Sequence, residues 1–103
     1  MERLSNMHLT DFEKQILTQF IMAEQTGDSD EIVGVYERFL DQFENDAENL
    51  AHLGIVVNDS CWRLAETDEP TARLYQHLWE RTNEFVVNRL SFEDKVKYAK
   101  LTD

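Results

Sequence analysis

Besides its carboxylates, this chain holds three histidines, one cysteine and a neighbouring serine as side chains fit for catalysis or metal binding. Glu48 and His52 stand four residues apart, so both project from one face of a helix. Metal-binding bundles use that spacing, but a two-metal centre also needs carboxylates and imidazoles from other helices. Further along, His77 stands between Arg73 and Arg81, and two nearby cations oppose a divalent ion. Glu48 with His52 is therefore expected to be a solvated surface pair, and no metal or other cofactor is expected. His8 should make a local helix-start contact with Asp11, and His77 a surface pair with Glu80 or Glu84.

Cys61 lies on an apolar stripe beside Trp62. A nucleophilic thiol needs a nearby base or a helix N-terminus to lower its pKa, and a buried mid-helix position offers neither. Ser60 lacks the G-x-S-x-G surroundings of a hydrolase nucleophile, and the sequence has no glycine-rich phosphate loop. These residues point to a protein that is not an enzyme.

Charge is the strongest signal. Twenty-one acidic residues against ten Lys and Arg give a net charge of −11. Residues 1–62 hold three bases against thirteen acids, a net of −10, while residues 63–103 come to −1. Nucleic acid and anionic membranes would be repelled, so a partner should be basic. Asp30, Glu37, Asp41, Glu44 and Glu48 recur at a spacing that aligns them on one helical face, if a helix runs that far. Together with Glu31 and Asp46 they span ~27 Å of helix, about one carboxylate every 4 Å. That approaches the ~3.4 Å phosphate spacing of a DNA strand. Only Arg38 interrupts the row.

These seven residues are the expected partner-binding set, and the expected partner is a basic protein surface such as that of a nucleic-acid-binding protein or nuclease. Small acidic inhibitors carried by mobile elements work in that way, among them anti-restriction and anti-CRISPR decoys and immunity proteins against nuclease toxins. The parallel is one of size and charge. The alternative is a homodimeric assembly or adaptor module whose acidity serves only solubility. Met22, Val35, Trp62 and Val87, at the edges of apolar stripes, motivate it.

The elements that position these residues read as helices. With 103 residues, 42% apolar content, one proline and three glycines, the chain suits a single all-α domain of four or five helices. Its centre is expected at Leu50, Leu53, Val57, Cys61 and Leu64, one stripe of a helix. Glu48, His52, Asn58, Asp59, Arg63 and Glu66 would form the wet side of that helix.

In chain order, residues 1–8 read as a lead-in. Thr10 with Glu13 forms a capping box that opens a helix over about 10–25, closed by Thr26 and Gly27. A second helix covers about 30–44, a third 46–66, a fourth 70–89 and a fifth 92–101. The second and third could instead be one helix, because apolar residues continue in heptad register from Tyr36 to Leu64. Asn45 with Glu48 reads as a second capping box, and Asp46 within the seam also favours a break. Gly54, mid-helix, suggests close approach of a neighbouring helix or a mild kink. Phe92, Val96 and Ala99 are the expected buried line of the last helix. One cysteine forms no internal bridge, and neither a signal-peptide pattern nor a membrane-length apolar run occurs, so a cytoplasmic location is expected.

Overall fold

The computed structural model describes residues 9–102 and folds them into five helices: α1 (Asp11–Glu24), α2 (Ser29–Gln42), α3 (Ala47–Leu64), α4 (Glu69–Arg89) and α5 (Phe92–Thr102). The fold is a small all-α domain with no strand among the described residues. The His8 contact and the lead-in fall outside them.

Local chemistry sets the boundaries. The Thr10 hydroxyl accepts from the Glu13 amide at 3.1 Å, and Glu13 Oε1 accepts from the Thr10 amide at 2.9 Å. Gly27 follows α1 with φ at 76°, a left-handed turn that suits glycine. Asp28, Asp46 and Asp68 cap the next three helices, each carboxylate accepting from a backbone amide two or three residues on. The Ser91 hydroxyl accepts from the Asp94 amide at 3.2 Å where α5 opens.

A single long helix through residues 30–66 is excluded. The chain turns at Phe43–Asp46, and α3 is capped by Asp46 with Asn49, one residue later than the expected Asn45 box. Burial explains the turn, since Phe43 leaves the end of α2 to pack on Phe12 and Phe39, with ring centroids 6.0 and 5.7 Å away. Tyr36, Phe43, Leu50, Leu53 and Val57 are all buried, but they reach the core from two helices rather than along one seam.

The helices form two antiparallel hairpins, α1 with α2 and α3 with α4. Along the first hairpin, Phe12 meets Phe43 and Phe20 meets Phe39. The hairpins pack so that α3 runs parallel to α1, joined by Glu13 to His52 near one end and Glu24 to Arg63 near the other. Each of these pairs spans 39 residues of sequence. Between α2 and α4, the buried Tyr36 and Thr82 hydroxyls lie 2.7 Å apart. Thr82 donates to the Leu78 carbonyl, so Tyr36 is the donor of that pair.

α3 touches all four other helices, and this corrects the expected wet side. Asp59 is buried at 4% exposure, while His52, Asn58 and Arg63 are half-buried. α5 also departs from expectation: Tyr98 is its buried residue, whereas Phe92 is 79% exposed and Val96 lies at the surface. Gly54 supplies the reason. A Cβ at that position would sit 2.7 Å from Tyr98 Oη and 2.9 Å from the Trp79 ring, so only glycine leaves the slot that both rings fill. No helix among the described residues is long and apolar enough to cross a membrane.

Candidate functional site

All seven expected partner-binding carboxylates, Asp30, Glu31, Glu37, Asp41, Glu44, Asp46 and Glu48, are exposed. The turn between α2 and α3 divides them. Asp30, Glu37 and Asp41 keep one face of α2, opposite its buried row of Ile32, Tyr36 and Leu40, while Asp46 and Glu48 belong to the start of α3. On α2 the row is about 17 Å long, and its continuity with α3 is lost.

Most of these groups have local work. Asp30 and Glu31 occupy the first turn of α2 and Glu48 that of α3, where the positive end of the helix dipole favours carboxylates. Asp46 accepts from both the backbone and the side-chain amide of Asn49 at 3.1 Å. Glu37 accepts from Arg81 of α4 at 3.1 Å, and the Arg81 guanidinium also lies over the Tyr36 ring.

Asp41 and Glu44 have no such explanation. Asp41 is in the last turn of α2 and Glu44 just past its cap, where carbonyl dipoles repel carboxylates, and that turn carries no base. Neither makes an ion pair with a described residue. Arg38, the cation within the row, is likewise exposed and makes no ion pair among the described residues.

Of the two described imidazoles, His52 is built into the fold and His77 lies at the surface. His52 turns away from Glu48: its Nδ1 lies 2.7 Å from Glu13 Oε2, and Phe12 meets the ring edge-on at 5.3 Å. The expected surface pair is thus replaced by a bond to a carboxylate that is 3% exposed. Sequence spacing pointed to the i−4 neighbour because nothing local marks a partner 39 residues away. His77 does stay at the surface beside Glu80, at 3.7 Å. Cys61 is half-buried, and desolvation pushes its thiol pKa up, away from nucleophilic behaviour at neutral pH. A second polar cluster escaped sequence reading: Glu24 accepts two bonds from Arg63, at 3.1 and 2.7 Å, and a third from Tyr75.

Next to the α2 carboxylates, α1 and α2 enclose an open groove of about 420 Å³. Phe12, Ile16, Val35, Phe39 and Phe43 form its apolar lining, and Gln15, Gln19, Gln42 and Arg38 its polar rim. The chain matches no protein-family model, no curated protein and no solved structure.

Proposed function

We propose that this protein acts without catalysis, by binding a basic surface on another protein through the acidic side of α2 and the turn that follows it. The observation that carries this reading is the placement of Asp41 and Glu44. Two carboxylates at the negative end of a helix dipole cost roughly 0.3–1 kcal/mol each at low ionic strength, and among the described residues no base forms an ion pair with either. Departures from local favourability are expected where a surface serves a purpose other than stability. Asp30, Glu31, Glu37, Asp46 and Glu48 extend the same negative surface, although their helix-start and ion-pair roles would hold them there in any case. A nuclease or other nucleic-acid-binding protein is the kind of partner such a surface suits. The turn at Phe43–Asp46 interrupts the phosphate-like spacing, which favours a general basic patch over close mimicry of a DNA strand.

Reversing the site is the test. Asp41→Lys with Glu44→Lys should raise the urea midpoint by relieving the dipole penalty, yet weaken binding to a polylysine probe or a basic nuclease domain. Arg38→Glu should tighten the same binding. Association should slow as salt rises, because screening shortens the reach of the field to ~8 Å near 0.15 M. Affinity that survives the double reversal and stays flat with salt would falsify the reading.

A second reading is a homodimeric assembly module. Val35, expected at an exposed stripe edge, is buried, but Met22, Trp62, Val87 and Phe92 remain 57–79% exposed. Sedimentation at high micromolar concentration decides it, since a strict monomer removes the dimer.

A further inference from the structure

α5 turns its apolar row away from the core that holds it. Tyr98 is its buried residue, whereas Phe92, Val96 and Ala99, spaced i, i+4 and i+7, are all exposed. On the side of the helix away from Tyr98, Phe92 and Val96 share a shallow depression of about 360 Å³ with Glu93, Lys97 and Lys100. All five side chains are exposed, and none of the three charged ones forms an ion pair with a described residue.

Charge makes this the face that a second copy can approach. Residues 1–84 hold six bases against eighteen acids, a net of −12, whereas residues 85–102 hold Arg89, Lys95, Lys97 and Lys100 against Glu93 and Asp94, a net of +2. Two copies therefore repel through most of their surface and least through α5. The face is also complementary to itself. Glu93 and Lys100 stand seven residues apart on one side of the helix, a separation of about 10 Å along its axis. A twofold axis between Val96 and Lys97 sets two α5 helices antiparallel and brings Glu93 of each copy against Lys100 of the other. A parallel pair would oppose like charges instead. In the antiparallel register the two Val96 side chains meet at the centre, and Phe92 of each copy lies over the Lys97 and Lys100 stems of the other.

We infer that the outer face of α5 is the contact of a symmetric dimer, packed on the same face of a second copy. This rests on the second reading above, association of two copies, to which it gives a place and a geometry; it makes no use of the acidic side of α2. One 11-residue helix per copy is a small interface, so the dimer is a weak one, with a dissociation constant on the order of 100 µM.

Sedimentation equilibrium from about 10 µM to about 1 mM, near 0.15 M salt where screening limits the repulsion between the acidic bodies to ~8 Å, reads that constant. Glu93→Lys and Lys100→Glu should each weaken the dimer about ten-fold, because each opposes like charges at both ends of the contact. An equimolar mixture of the two variants should return to near wild-type affinity, since every lysine at these positions then faces a glutamate. Phe92→Ser should weaken the dimer by about ten-fold or more through the lost apolar burial. The three side chains are exposed in the single chain, and unchanged helical circular dichroism verifies that each variant folds. A mixture that associates no better than its components overturns the antiparallel contact. A dimer untouched by all three variants but lost with Trp62→Ser also overturns it, and leaves association of two copies standing. A strict monomer throughout the range overturns both.

Discussion

Glu13 does three jobs with one side chain. One carboxylate oxygen closes the capping box on Thr10, the other meets His52, and the group is buried between α1 and α3. Glu13→Ala removes the cap and strands the imidazole, so it should destabilise the domain by about 2–3 kcal/mol in urea unfolding. Glu13→Gln keeps an acceptor for Thr10 and a polar partner for His52, and should recover most of that loss. The three tyrosines give a pH prediction. Burial raises the pKa of Tyr36, Tyr75 and Tyr98 above the ordinary value of 10.0, and in Tyr75 the bond to Glu24 adds to the effect. A raised folded-state pKa contributes stability that is complete below the unfolded value and is lost as pH climbs through the folded one. The protein should therefore hold its stability up to about pH 10 and lose it above. Tyrosinate absorbance should appear together with loss of helical circular dichroism; tyrosinate forming while the helices persist would contradict the burial argument.

At the scale of elements, two helical glycines make opposite predictions for one substitution. Gly34→Ala adds a methyl whose nearest neighbour is Arg38 Nη1 at 3.8 Å, so helix propensity should dominate and stabilise by up to about 1 kcal/mol. Gly54→Ala drives a methyl into Tyr98 and Trp79, and the overpacking should cost a net ~1–2 kcal/mol. Differential scanning calorimetry on the pair reads both signs. The start of α1 was legible in the sequence because its cap is local, Thr10 lying three residues from Glu13, and the caps at Asp28, Asp68 and Ser91 are equally local, each bonding an amide two or three residues on. The break after α2 was legible as well, through Asp46, though misplaced by one residue. What faces what was not legible. His52 choosing Glu13, Tyr98 burying in place of Phe92, and Asp59 turning inward all depend on how the two hairpins stack, and pairings 39 residues apart leave no periodic trace. For the candidate site, sequence supplied the exposed carboxylates but not the groove beside them. A groove belongs to two helices at once.

For the whole molecule, the net charge of −11 opposes compaction. Raising salt from low levels to about 0.5 M should increase the urea midpoint while weakening attachment to a basic partner. That opposite response separates self-repulsion from recognition in a single series of titrations. A different consequence follows from the way the last helix is attached. Tyr98 is the only buried residue of α5, it lodges in the slot over Gly54, and its hydroxyl donates to Asn83 at 3.1 Å. α5 lies close along α3 but buries only that one side chain, so it should swing open before the four-helix body melts. Its amides should exchange with deuterium sooner than those of α3, and a protease should nick the chain near Leu90 and Ser91 while the remainder stays intact.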